Sequence, residues 1–274
     1  MRTHSVTGGG GIRLHVDEAG NPDGQPVLFL HGFSQCRLAW SKQLDSDLTN
    51  DLRLVVPDLR GHGLSDKPRD AYGDPQLWAD DVRAILDALD LERPILVVWS
   101  YGLPIGDYLR AYGEERLGGI NLVGAATKLA SDAALAVIGP EFLALVPTFF
   151  STDVEESVRG LDAFVRLCVY SEPSPRDLYF MLGYNAVVPP HVRQGLLSRA
   201  VDNDDVLARL SIPVLITHGA EDRVVLPAAA EQHAATIPHA RASYYPGVGH
   251  ALFWEDAGRF NQELRDFAGQ VRAG

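Results

Sequence analysis

The segment Val97-Val98-Trp99-Ser100-Tyr101-Gly102 sets a serine at the end of an apolar, β-branched run, with a glycine two residues later. The residues from Leu103 onward read as a helix, and Pro104 falls in its first turn, where a missing N–H costs nothing. A sharp strand-to-helix turn of this kind lifts a serine hydroxyl above a sheet. The helix N-terminus beneath it offers free N–H groups and a positive dipole where negative charge would develop. One position departs from the G-x-S-x-G pattern. Val98 stands two before the serine, where a small residue usually relieves crowding between strand and helix. A slightly different packing is expected there, or a helix pushed outward.

A serine hydroxyl is a poor nucleophile near neutral pH, so it needs a base, and the base needs an orienting carboxylate. Two later segments supply both. After an apolar run at 214–216 comes His218-Gly219-Ala220-Glu221-Asp222, with carboxylates in the loop just past a strand. Tyr245-Pro246-Gly247-Val248-Gly249-His250 then puts a histidine in a glycine-flanked loop before the last helical pattern. Serine, acid, histidine is the chain order that a nucleophile on such a turn requires. The set would attack an acyl carbon, with Ser100 as nucleophile, His250 as base, and Asp222 or its neighbour Glu221 as the acid.

Positioning these groups takes a scaffold, and its signature is an alternation. Apolar runs at 27–30, 54–56, 95–98, 120–123 and 214–216 have the length and branching of strands buried on both faces of a parallel sheet. Between them, Leu77, Val82, Ile85, Leu86 and Leu89 repeat three or four apart, and Phe260, Leu264, Phe267 and Val271 do the same near the end. Strands alternating with helices predict a doubly wound, mostly parallel α/β sheet. From about Ala125 to about Arg209 no strand is evident, yet Phe142, Phe149, Phe164, Tyr170, Phe180 and Tyr184 recur. A helical insertion after the sixth strand fits better than a loop of that length. Ligands of doubly wound sheets bind beyond the carboxyl ends of the strands, so the insertion is expected to act as a lid. The predicted division is a core of residues 1–124 and 210–274 and a lid of residues 125–209.

Bulk properties narrow the partners. A chain of 274 residues, 46% hydrophobic, can bury one large core. Its formal charge of −12 opposes encounter with nucleic acid or anionic membranes. Its two cysteines, Cys36 and Cys168, offer no disulfide framework and no CxxC. No histidine pair has metal-ligand spacing with a carboxylate, and no GxxxxGK[ST] or GxGxxG follows a strand. The expectation is therefore no metal, no cofactor, and a small-molecule substrate. The N-terminal MRTHSVTGGGGIRLHV lacks the apolar stretch of a signal peptide, so a cytoplasmic location is expected.

Together with His31-Gly32-Phe33 after the third strand and Asp58-Leu59-Arg60-Gly61-His62-Gly63 after the fourth, these segments resemble the α/β-hydrolases over nearly the whole chain. The similarity is to the lidded serine esterases, lactonases and cofactor-free haloperoxidases. That resemblance implies a catalytic Ser100, Asp222 and His250, since its H-G-x-x-D loop selects Asp222 over Glu221. It implies oxyanion donors at the backbone N–H groups of Phe33 and Tyr101, and structural roles for His31 and His62. Trp99, Cys36 and Phe253 are candidates to line the pocket. The implied activity is hydrolysis of small to medium apolar esters or lactones through an acyl-enzyme. Perhydrolysis at the same site, or ligand sensing with little turnover, are the alternatives.

Overall fold

A computed structural model describes residues 1–273. Its strands are β1 (Arg2–Thr7), β2 (Arg13–Gly20), β3 (Gln25–Leu30), β4 (Leu52–Pro57), β5 (Ile95–Tyr101), β6 (Gly119–Ala126), β7 (Lys128–Leu129), β8 (Val201–Asp202), β9 (Val214–Gly219) and β10 (Arg241–Tyr245). Eight of them form one sheet in the order β1-β2-β4-β3-β5-β6-β9-β10. Only β1–β2 and β2–β4 pair antiparallel; the rest of the sheet is parallel. This is the α/β-hydrolase fold.

All five apolar runs are strands of this sheet, and β3, β5, β6 and β9 are buried almost throughout. The strands without such a run, β1, β2 and β10, mix exposed and buried positions and lie at or next to the sheet edges. The strand order reverses between β3 and β5. The chain steps outward from β3 to β4, returns to β5 on the other side of β3, and then proceeds to β6, β9 and β10. Crossovers of one hand then fall on opposite faces, and a crevice opens at the carboxyl ends of β3 and β5. Phe33 follows β3 and Ser100 lies on the last turn of β5, so the topology alone brings them to one place.

The longer helices are α1 (Pro75–Ala88), α2 (Leu103–Tyr112), α3 (Pro140–Phe149), α4 (Val154–Leu167), α5 (Pro175–Ala186), α6 (Pro190–Leu197), α7 (Ala228–Thr236) and α8 (Ala257–Ala273). The insertion between β6 and β9 carries α3 to α6. It is not free of strand as expected, since β7 and β8 pair antiparallel and tie its two ends together. Its aromatic residues form a cluster in which Phe142, Phe149 and Phe164 pack with ring centroids 5.3–5.6 Å apart. None of the described helices is long and apolar enough to cross a membrane.

Candidate active site

Ser100 sits at φ +61°, a left-handed conformation that a side-chain-bearing residue adopts only under constraint. The β5–β6 ladder slips at this point, from Trp99 opposite Val123 to Tyr101 opposite Ala126. The chain turns at once into α2, with Gly102 as its N-cap and Pro104 in the first turn. Gly32 allows the next loop to come close: a Cβ there would stand 2.8 Å from the Cβ of Ser100. Val98 is accommodated in the strand, fully buried and in register with Leu30 and Leu122.

Asp222 and His250 meet behind this turn. His250 Nδ1 lies 2.7 Å from Asp222 Oδ2, and both residues are buried. Asp222 Oδ1 accepts from the Val224 and Val225 N–H groups at 2.8 and 3.0 Å. Burial alone would raise the carboxyl pKa, but the charges and hydrogen bonds of His250 and His218 outweigh it and hold Asp222 down to about 2. Glu221, the competing carboxylate, is exposed. His250 Nε2 has no hydrogen-bond partner among the described residues. The Trp99 indole N–H donates to the His250 carbonyl at 3.1 Å, which ties the imidazole to the strand end that carries Ser100.

Gly124 belongs to no sequence motif, and its position in space explains why it matters. At φ +48° it faces the pair so closely that a Cβ would stand 3.2 Å from Asp222 Oδ2 and 3.3 Å from His250 Nδ1. Gly124→Ala is therefore expected to displace the imidazole and lower kcat about 10- to 100-fold in an ester assay. A variant with wild-type kcat would show that the pair tolerates the displacement.

The Phe33 N–H finds no acceptor among the described residues, so it is free to meet an oxyanion. The side chains of Phe33, Ser100 and Tyr101 line a chamber of about 230 Å³, whose other walls include Leu103, Leu129, Ile138, Phe142, Leu143, Val146 and Leu197. Among the described residues Lys128 is the one charged wall residue, and its Nζ is paired with Asp204 at 2.5 Å. An arrangement of this kind can hold an apolar group against a serine hydroxyl with a buried imidazole–carboxylate pair beside it.

None of the three expected pocket residues is a wall of that chamber: Trp99 and Phe253 line a smaller cavity with Cys168, Met181 and Tyr184, and Cys36 lines a third with Leu38, Tyr179 and Phe180. Trp99 packs on Trp40, Phe253 and the His250 ring with centroids 6.3, 4.7 and 5.4 Å apart. Trp99 is the last residue of β5 in regular register with β6 before the slip at Ser100. Phe253 belongs to the same aromatic stack, against Trp40 at 4.2 Å. Cys36 is buried, and burial pushes its thiol up to about 12.

Three further buried histidines bond backbone. His31 Nε2 accepts from the Leu59 N–H at 3.0 Å while Nδ1 reaches the Gly32 carbonyl at 2.9 Å. His62 Nδ1 lies 2.8 Å from the Arg60 carbonyl, and His218 Nε2 the same distance from that of Val225. Burial holds His31 and His233 down to about 4. Burial, and then the neighbouring His31, takes His62 well below its ordinary value. These groups stay neutral in the folded protein while the unfolded chain binds protons below about pH 6.5. Their contribution is thus complete above about 6.5 and is lost as pH falls toward 4. Asp81, which burial raises to about 6 beside Arg60, acts the other way and offsets part of this. The net expectation is a Tm about 10 °C lower at pH 4 than at pH 7 by calorimetry. A flat Tm across that range would refute it.

Two buried arginines also escape a reading of the sequence, because neither sits in a motif. Arg193 on α6 reaches Ser34, and Arg199 just beyond it pairs with Asp107 of α2 at 2.7 Å.

Known proteins share this fold over nearly their whole length. Residues 27–263 match the model of the alpha/beta hydrolase family. The structure of the esterase RhEst1 from Rhodococcus sp. ECU1013 is 37% identical, covers 99% of this chain and 100% of that one, and superposes with a TM-score of 0.94. Non-heme chloroperoxidase CPO-A1 from Kitasatospora aureofaciens is 30% identical over 267 residues, covering 94% of this chain and 96% of that protein. The structure of Est816, described as an N-acyl homoserine lactone degrading enzyme, is 27% identical with a TM-score of 0.76, covering 96% and 99% of the two chains.

Proposed function

The chain belongs to the alpha/beta hydrolase family, and from that premise we propose that it is a serine hydrolase cleaving small to medium apolar carboxylic esters or lactones. The observation that carries this reading is the chamber itself: Ser100, on its left-handed turn, opens into a 230 Å³ space walled by aliphatic and aromatic side chains. In the proposed sequence Ser100 Oγ attacks the acyl carbon and passes its proton to His250 Nε2. The imidazole then returns that proton to the leaving oxygen, and water repeats the cycle on the acyl-enzyme. Asp222 orients the ring and balances its charge while it is protonated. The backbone N–H groups of Phe33 and Tyr101 would receive the oxyanion, each worth about 3 kcal/mol in the transition state. Residues 125–209 would act as a lid over this site, with 1–124 and 210–274 as the core.

Likeness to an esterase and to a lactone-degrading enzyme supports both substrate types. Likeness to a chloroperoxidase favours one second reading, in which peroxide replaces water on the acyl-enzyme and yields a peracid. The test is a panel of p-nitrophenyl esters of increasing chain length and of lactones, run with fluorophosphonate labelling. Turnover of apolar esters with labelling at Ser100 is the expected result. Bromination that needs both peroxide and added acetate would establish the second reading. Labelling without turnover on any ester would instead mark a ligand sensor.

A further inference from the structure

Each of the two oxyanion donors proposed above is gripped by the same helix of the insertion. The Tyr101 phenol donates to the Leu196 carbonyl at 3.0 Å. Leu196 lies in the last turn of α6, where carbonyls have no partner within the helix. Burial drives the phenol far above its ordinary range, with Arg199 opposing, so it remains a donor at every working pH. On the other side, Arg193 Nε donates to Ser34 Oγ at 2.9 Å, one residue beyond Phe33. Ser34, like Ser100, is held at a left-handed φ, here +60°.

Arg193 is buried to 1% exposure and has no carboxylate partner among the described residues. Its other nitrogens donate to Phe149 O at 3.3 Å and Asn185 O at 2.9 Å, the carbonyls at the ends of α3 and α5. Helix C-termini carry partial negative charge, which accounts for a buried cation without a counter-ion. The Phe33 ring itself packs into the Phe142, Phe149 and Phe164 cluster at 5.4–6.2 Å. Such a guanidinium fixes a loop more firmly than neutral contacts would.

We propose that α6 is the positioning element of the oxyanion hole, holding the Tyr101 N–H through the phenol on Leu196 and the Phe33 N–H through Arg193 on Ser34. The proposal rests on the serine-hydrolase reading. Tyr101, Ser34 and Arg193 then act on the reaction through backbone donors rather than by touching substrate with these polar atoms. Losing either grip lets one N–H drift, which weakens binding of the oxyanion and leaves binding of the ground-state ester alone.

Tyr101→Phe and Ser34→Ala remove the two grips separately while retaining both backbone N–H groups. Each is expected to lower kcat about tenfold with KM within about twofold of wild type. Affinity for an alkyl trifluoromethyl ketone, whose hemiketal oxygen occupies the hole, should fall in parallel. Thermal melting separates this from loss of fold. The double variant should deviate from the product of the single effects, because both grips act on one helix. Wild-type kcat and ketone affinity in both variants, or a loss confined to KM, would overturn the proposal while the serine-hydrolase reading stood. If the unaltered protein turns over no ester and Ser100 takes no fluorophosphonate, that reading fails first and this one falls with it.

Discussion

Ser100→Ala is expected to lower kcat on p-nitrophenyl esters by about 10⁶-fold, the largest effect of any single substitution in the chain. Alanine differs from serine only by the Oγ atom, and it tolerates the same φ of +61° no worse. The close approach of Gly32 to the Ser100 Cβ is unchanged by the substitution. The fold, the 230 Å³ chamber and KM should therefore survive while the nucleophile is gone. What remains is the rate at which free water attacks an ester polarised by the Phe33 and Tyr101 N–H groups, still well above the uncatalysed reaction. Fluorophosphonate labelling must vanish together with turnover, and intact-mass spectrometry of the adduct reads both proteins side by side. A variant that keeps more than about a tenth of wild-type kcat would mean that water is activated directly, with no acyl-enzyme on Ser100. His250→Ala should cost a similar factor, and the two losses should not multiply, because either one alone disables the relay.

How much of this could be read without coordinates depends on how local each signal is. The strands buried on both faces announce themselves as unbroken apolar runs, and all five such runs are strands of the sheet. The outer strands do not, because a strand with one wet side mixes its residue types. Arg2–Thr7 and Arg241–Tyr245 each bury a single residue. Ser100, Asp222 and His250 can be proposed from sequence because a strand-end turn and two glycine-flanked loops set these residue types in the order such a site needs. The chamber walls are not legible. Trp99 and Cys36 stand close in sequence to Ser100 and Phe33 but are not walls of this chamber, while Leu143 and Leu197 come from helices whose docking no local pattern encodes. Arg193 is a lone basic residue on a short helix, which reads as solvated surface. Only the tertiary structure reveals that it is buried against Ser34 and two helix ends. Gly124 likewise carries no cue, since its role is to leave room for Asp222 and His250, which lie about 100 residues further along the chain or more.

Asp222→Asn is expected to lower kcat about 10⁴-fold with KM little changed. The size follows from which way the new amide must face. Oδ1 of Asp222 accepts from two backbone N–H groups, those of Val224 and Val225. In asparagine only the carbonyl oxygen can take that place, so the NH₂ group is forced onto the side of His250 Nδ1 and His218 Nε2. There it can only donate. His250 Nδ1 must then become an acceptor, and the ring proton moves to Nε2, the atom required to take the serine proton. The protein would stay folded with the wrong tautomer at its centre. Because Asp222 is held down to about 2 in the native protein, the wild-type acid is ionised throughout the working range. Glu221→Gln is the matching control: its side chain is exposed, and kcat within about twofold of wild type is expected. If the two variants exchanged phenotypes, the acid would have been placed one residue out, and the imidazole would have to leave the 2.7 Å contact on which the proposed relay depends.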